Sequence, residues 1–286
     1  MRFQAFKSDG RIGLGILNSA GELRGELAGS PAYPGDLLEL LGKGGDALSK
    51  AGAALANGQV FDTSRIEVLP PVSAPPKIIC IGLNYIDHAH EGGFQRPEYP
   101  AVFARFQTSL IGHNVALIRP HVSTQFDYEG ELVAIIGRGG RYIPLEQALD
   151  HVAGYSIFND GSVRDYQLRT TQWTLGKNFD ATGSFGPTFV TADELPRGAT
   201  GLRLQTRLNG QVVQDASTSD LIFDIATLVS QMSEGVTLEP GDIIVTGTPS
   251  GIGHARKPPL YMKAGDVCEV EIEGLGILSN PIADES

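Results

Sequence analysis

Three carboxylates at the ends of apolar runs are the side chains of this 286-residue sequence with the most chemical potential. In Phe126-Asp127-Tyr128-Glu129-Gly130-Glu131, two glutamates stand two apart and lead into Leu132-Val133-Ala134-Ile135-Ile136. On a strand they share a face, because side chains alternate with period two and positions i and i+2 lie ~7 Å apart. Like charges at the rim of a buried strand repel each other and resist desolvation. A divalent cation relieves both problems, and an all-oxygen donor set suits Mg²⁺, Mn²⁺ or Ca²⁺ better than zinc. Gly130 between them lets a ligand or a backbone approach closely. The same pattern also fits two solvated glutamates on an edge strand. Asp160 ends the run Ser156-Ile157-Phe158-Asn159. Alone it reads equally as a strand-to-turn cap; beside Glu129 and Glu131 it would complete a three-carboxylate site with positions open to substrate.

A second group follows the apolar run 77–83. In Asn84-Tyr85-Ile86-Asp87-His88-Ala89-His90-Glu91, His88 and Glu91 are three apart and would face each other on a helical turn. A carboxylate beside an imidazole fixes its tautomer and raises its basicity, as a water-activating base requires. An exposed polar helix would show the same spacing. A zinc site through His88 and His90 with His113 or His121 is the rival reading, disfavoured because helical residues two apart do not share a face. Lys177, in Gly176-Lys177-Asn178-Phe179-Asp180, could hold an enolate or carboxylate as a compact positive charge.

The elements that must position these groups are mostly strands. Residues 3–6, 11–17 and 22–27 read as short strands separated by turn signals. Helices are expected over 36–41 and 46–56. Four prolines in Leu69-Pro70-Pro71-Val72-Ser73-Ala74-Pro75-Pro76 mark a connector. The expected division is a small N-terminal α+β domain over 1–72 and a catalytic domain over 73–286. Beyond the connector, 77–83, 126–137, 152–159, 242–246 and 266–272 read as strands. Asn209-Gly210 joins 202–208 to 211–214 as a type I′ hairpin, and 221–232 fits an amphipathic helix. Strands outnumber helices without alternating regularly with them, so a mainly β, α+β architecture is expected over a doubly wound sheet.

Composition removes several classes. Lys+Arg number 22 against 33 Asp+Glu, a net charge of −11, and the longest basic cluster is Arg256-Lys257, which excludes an ordinary nucleic-acid binder. Apolar runs fall far short of the ~20 residues that span a bilayer. The N-terminus lacks the apolar stretch of a signal peptide. Two cysteines, Cys80 and Cys268, lie within apolar runs and read as buried thiols, so a soluble, cytoplasmic protein is expected. There is no P-loop, no dinucleotide-binding Gly-x-Gly-x-x-Gly after a strand, no Gly-x-Ser-x-Gly elbow, no Cys-x-x-Cys and no His-Glu-x-x-His.

Taken together, these segments resemble the fumarylacetoacetate hydrolase superfamily over about residues 75–282, in its bacterial acylpyruvase or fumarylpyruvate hydrolase-like form with a short N-terminal domain. The carrying motifs are Gly82-Leu83-Asn84-Tyr85 with His88 and Glu91, Asp127-Tyr128-Glu129-Gly130-Glu131, Phe158-Asn159-Asp160 with Arg164-Asp165 and Gln167, Gly176-Lys177-x-Phe179-Asp180, Gly186-Pro187, and Val245-Thr246-Gly247-Thr248-Pro249-x-Gly251. The resemblance implies a mixed β-sheet roll with flanking helices, usually a homodimer. It implies Mg²⁺, or Mn²⁺ or Ca²⁺, on Glu129, Glu131 and Asp160, a water-activating dyad of His88 and Glu91, and substrate contacts from Lys177, Gln167 and Thr248. Arg105 and Gln107 fall beside the implied substrate pocket. Phe106 and Gln107 stand where the family more often has a Lys-Pro sequence, and Gly161 stands in place of a common valine.

The implied substrate is a 1,3-diketo acid of the acylpyruvate, fumarylpyruvate or fumarylacetoacetate type, from aromatic or sugar-acid catabolism. His88, oriented by Glu91, would draw a proton from water as it attacks the distal carbonyl. Lys177 would stabilise the oxyanion, and the carbon–carbon bond would break to release an enolate and a carboxylic acid. Oxaloacetate decarboxylation and 2-hydroxydienoate isomerase or hydratase chemistry need the same enolate stabilisation and are the alternatives. A non-enzymatic binding protein that kept the fold is the remaining class.

Overall fold

The computed structural model describes residues 1–87 and 95–286. His88, His90 and Glu91, and with them the expected dyad, lie outside the described residues.

A 12-stranded mixed sheet runs through the molecule. Its main path is 59–61, 23–27, 11–17, 2–8, 183–191, 152–160, 130–136, 243–245, 78–82 and 101–104. Most neighbours are antiparallel, but Ile243–Val245 runs parallel to Ile78–Gly82. A five-stranded sheet of 211–217, 203–208, 267–272, 276–284 and 117–119 packs against it. The architecture is the expected mainly β, α+β type. The N-terminal strands belong to the long sheet, since Arg2 and Phe3 pair with Val190 and Phe189.

The strand Gly130–Ile136 is buried at every position, because both its faces are covered. Leu132, Ala134 and Ile136 face a core shared with Leu204, Val270 and Ile272 of the smaller sheet and with Leu228 and Val229 of the helix Ile225–Gly235. Val133 and Ile135 face a second core with Phe158, Phe185 and Phe189, roofed by Leu37, Leu40 and Leu55 of the N-terminal helices. A strand covered on both faces reads as a continuous apolar run.

Local expectations hold where the signal is local. Asn209 and Gly210 take φ of 52° and 77°, the positive values a type I′ hairpin needs. Cys80 and Cys268 are buried free thiols. The helix expected over 221–232 instead begins at Ile225, because the Asp224 carboxylate caps it by accepting from Thr227 N–H at 2.8 Å. Leu221 bridges Tyr85 and residues 222–223 bend there, held by Asn84, whose Oδ1 accepts from Phe223 N–H at 2.8 Å. The expected strand 126–137 is broken into Phe126–Asp127 and Gly130–Ile136, leaving Glu129 just outside the second piece. The strands Gly183–Thr191 and Gly276–Asp284 were not expected from the sequence.

Candidate active site

Pairing register brings the three carboxylates together. Gly130 lies opposite Asn159 and Glu131 opposite Phe158, so Glu129 meets Asp160, whose N–H donates to the Glu129 carbonyl at 2.8 Å. Glu131 and Asp160 therefore lie on one face of two adjacent strands, with Glu129 one residue before the first of them. Their ligand oxygens lie within 4.8 Å of one another, and all three residues are buried. They form the one group of three or more potential metal-ligating side chains among the described residues. Of the rival zinc reading, His88 and His90 lie outside the described residues, while His113 Nδ1 accepts from Ser279 N–H at 3.1 Å and exposed His121 pairs with Glu285 at 2.6 Å.

Three buried cations surround the triad. Lys177 Nζ sits 2.6 Å from Glu129 and 2.7 Å from Asp160. Arg105 pairs with the other Asp160 oxygen and donates to Thr182 at 2.9 Å. It reaches Asp160 across Gly183, where a Cβ would stand 2.6 Å from its guanidinium. Arg164 bridges Asp127 at 2.8 Å and Glu129 at 2.7 Å. Asp127 also accepts the N–H groups of Tyr128, Gly253 and His254.

Four buried carboxylates thus face three buried cations. Glu131 is the one without an ion-pair partner among the described residues; Gly247 N–H donates to it at 2.5 Å. Burial, with the Asp160 and Glu129 carboxylates beside it, pushes the Glu131 carboxyl well above the usual range. Burial opposes the charge of Lys177, but Asp160 and Glu129 outweigh it and hold the ammonium protonated above its ordinary range. An unbalanced all-oxygen cluster with one elevated carboxyl fits a hard divalent cation, which would displace the proton and supply the missing charge.

The cluster opens on a cavity of about 230 Å³, lined on its polar side by Glu129, Glu131, Arg164, Gln167, Lys177, Thr248 and His254. Ile81, Leu83, Phe103, Leu168, Trp173 and Ile252 form its apolar side. Trp173 comes in over Gly82, where a Cβ would stand 2.3 Å from the indole. Gln167 Oε1 accepts from Arg164 at 2.8 Å. Thr248 donates to the Gly130 carbonyl at 3.1 Å and accepts from Gln214 at 2.8 Å.

Of the residues expected from the sequence, the structure brings Glu129, Glu131, Asp160, Lys177, Gln167 and Thr248 to one place. Arg105 is present as a clamp on Asp160, its charge spent within the protein. Gln107 is not brought to this cavity: it is exposed, its amide donates to the Pro75 carbonyl at 3.1 Å, and it lines a separate groove. Its position in a 3-10 turn after the strand Ala101–Ala104 carries it past the site. The sequence reading assigned no role to Arg164, Asp127, Trp173 or His254. Arg164 and Asp127 stood within motifs already quoted, and a buried arginine there could have been inferred from the excess of carboxylates.

The family model for the fumarylacetoacetate hydrolase C-terminal region matches residues 77–283. The chain is 40% identical over 286 residues to a mitochondrial oxaloacetate tautomerase of Xenopus laevis, covering 99% of this chain and 89% of that one. Its fold is similar to the fumarylacetoacetate hydrolase of Exiguobacterium antarcticum, with a TM-score of 0.86, 35% identity and full coverage of both chains. It is also similar to the fumarylpyruvate hydrolase of Pseudomonas aeruginosa in complex with Mn²⁺ and pyruvate, with a TM-score of 0.68 and 33% identity over 77% of this chain and 92% of that one.

Proposed function

Since the chain belongs to the fumarylacetoacetate hydrolase family, we propose that it holds the enolate of a small 2-oxo acid and interconverts the keto and enol forms of oxaloacetate or a close analogue. The observation that carries this reading is the buried triad of Glu129, Glu131 and Asp160, opening with Lys177 and Gln167 onto one cavity. Similarity at 40% identity to an oxaloacetate tautomerase over nearly the whole chain supports the choice of reaction. At about 230 Å³ the cavity lies below the ~300–1,000 Å³ of pockets for drug-sized ligands, which suits a short acid.

Glu129, Glu131 and Asp160 would hold Mg²⁺, Mn²⁺ or Ca²⁺, and the cation would supply Lewis-acid polarisation of the oxo group. Lys177, kept protonated, donates to an oxygen that gains charge as the enolate forms. Arg164 occupies the Gln167 carbonyl oxygen, which turns the Gln167 amide N–H₂ into the available donor for a substrate carboxylate. Apolar walls around Trp173 and Phe103 lower the local dielectric, which strengthens each of these contacts.

The test is oxaloacetate added as the enol to EDTA-stripped protein, with and without Mg²⁺ or Mn²⁺, followed by loss of the enol's ultraviolet absorbance. Metal-dependent acceleration supports the reading, and a rate equal to the protein-free control overturns it. A second reading, hydrolysis of a 1,3-diketo acid, is favoured by His88 and Glu91 in the sequence and by similarity to a pyruvate-bound fumarylpyruvate hydrolase. Release of pyruvate plus an acid from acetylpyruvate would establish it, whereas CO₂ release from oxaloacetate would mark a decarboxylase. We also infer a homodimer, with a second copy covering the apolar groove beside the strand Ala101–Ala104.

A further inference from the structure

Enolate chemistry needs a group that moves a proton at the carbon beside the carbonyl. The buried cluster is poorly placed for that step, since the Lys177 ammonium and the carboxylates of Glu129 and Asp160 are engaged with one another and with Arg164 and Arg105. We propose that His254 is the proton-transferring residue at that carbon, with Tyr261 and Gln125 as the relay that supports its ring. The proposal rests on the reading that this cavity holds a 2-oxo acid enolate.

His254 lines the same cavity as Glu129, Glu131 and Lys177. Its backbone is pinned there, since its N–H donates to Asp127 at 2.9 Å and that of Gly253 does so at 2.8 Å. Gly253 also brings Tyr261 alongside. Leu260 N–H donates to the Gly253 carbonyl at 2.9 Å, and a Cβ on residue 253 would stand 1.7 Å from the Leu260 carbonyl oxygen. Only glycine permits that approach, and it sets residues 254 and 261 side by side. His254 Nδ1 then lies 2.8 Å from the Tyr261 hydroxyl, which itself lies 3.4 Å from Gln125 Oε1.

This chain of three groups has a useful direction. With the Tyr261 proton donated to Gln125, Tyr261 accepts from His254 Nδ1–H, and Nε2 carries the lone pair. Among the described residues no hydrogen bond reaches Nε2. The charged groups acting on the ring are Arg164 and Asp127, and Tyr261, itself near Asp165, is the titratable one in contact. Burial and Arg164 lower the pKa of His254 and Asp127 opposes them, which leaves a neutral base at neutral pH.

The step balances without a co-reactant. The C3–H bond breaks, its electron pair becomes the C2=C3 double bond, and Nε2 takes the proton. The oxo oxygen gains the negative charge and is protonated to the enol, and the imidazolium returns its proton to water. Keto and enol are isomers. A hydrolytic reaction releasing pyruvate enolate uses the same transfer in reverse, so the role does not depend on which of the two reactions the protein performs.

The experiment reads deuterium entry at C3 of pyruvate and of oxaloacetate in heavy water by proton NMR, with Mg²⁺, for the full chain and for His254→Ala, His254→Gln, Tyr261→Phe and His88→Ala. Both His254 variants are expected to lose 10²–10⁴-fold in rate, the scale of a lost general base, with near wild-type KM and melting temperature. Tyr261→Phe is expected to lose roughly tenfold, as for an orienting partner. The wild-type rate should fall on an acidic limb below the ordinary histidine value of ~6.5, and His254→Ala should abolish that limb. Retained exchange in His254→Ala, a persisting limb, or exchange lost only in His88→Ala overturns the proposal and leaves the oxo-acid reading standing. Wild-type exchange on pyruvate without oxaloacetate tautomerisation, abolished in His254→Ala, upholds the proposal and overturns the tautomerase reading. No metal-dependent exchange on either acid overturns both.

Discussion

The strand Ala101–Ala104 has a cavity on each side, and the two could hardly differ more. Phe103 lines both. On one side a groove of about 960 Å³ exposes Val102, Phe106 and Val236. On the other, a cavity of about 230 Å³ is lined by two carboxylates, Glu129 and Glu131, with Lys177 and Arg164. The larger space is apolar and lacks a charge cluster; the smaller concentrates charges that folding had to strip of water. Desolvating a charge costs several kcal/mol unless it is paired, so a fold keeps such a cluster where something must be bound. An exposed apolar groove carries the opposite sign: it is removed from water most simply by another protein surface. Concentrated buried charge, rather than volume, separates a site for chemistry from a site for contact.

That contrast can be broken at several points. The largest effect is expected from Glu131→Gln and Asp160→Asn, near-isosteric changes that remove ligand charge. Both should abolish metal-dependent turnover and the stabilisation expected of Mn²⁺ in the wild type, about 2.7 kcal/mol at 100 times Kd, read as a rise in melting temperature. An intact Mn²⁺ shift in either variant would mean that the triad is not the metal site. Lys177→Met comes next, with kcat falling about 10²–10³-fold, as for loss of one oxyanion donor; steady-state kinetics on oxaloacetate and acetylpyruvate check it.

Arg105→Met should act through stability. It leaves Asp160 buried beside one cation fewer, a loss on the order of 3–5 kcal/mol, to be measured by urea unfolding. A pH series sharpens the account of Glu131. Its raised carboxyl holds a proton that an ordinary glutamate would have lost, so the cation must displace it. Apparent Mg²⁺ affinity should therefore strengthen as pH rises and weaken as pH falls, with proton release on binding seen by calorimetry in two buffers. The smallest effect on turnover is expected on the far side of the strand. Val102→Asp and Val236→Asp should leave kcat unchanged while abolishing the proposed dimer in sedimentation; a loss of kcat would show that the groove and the cavity are not separable.

Much of the site was legible from composition along the chain. Glu129, Glu131 and Asp160 stood out because carboxylates abut apolar runs, a contrast visible within a dozen residues. Lys177 was legible as a charge in a glycine-flanked aromatic segment. Gln107 was placed beside the pocket by the resemblance alone, and the 3-10 turn Gln107–Ser109 carries it to the separate groove. Nothing in the sequence marks Tyr261, since its partner His254 is seven positions away across a reversal that only the packed backbone reveals.

The sequence by itself determined the mainly β class, the Asn209-Gly210 hairpin and the buried thiols, and it marked Glu129, Glu131 and Asp160 as candidates that the family resemblance joined into one cluster. The first three follow from patterns within one element, namely alternation, turn chemistry and apolar runs. Tertiary structure alone decided which cation neutralises which carboxylate, why Glu131 is left over, and how His254 meets Tyr261. Those outcomes depend on close approaches across Gly183 and Gly253, between segments far apart or reversed in the chain. The physical reason is that burial and Coulomb energy depend on distance in space, which one-dimensional spacing does not contain.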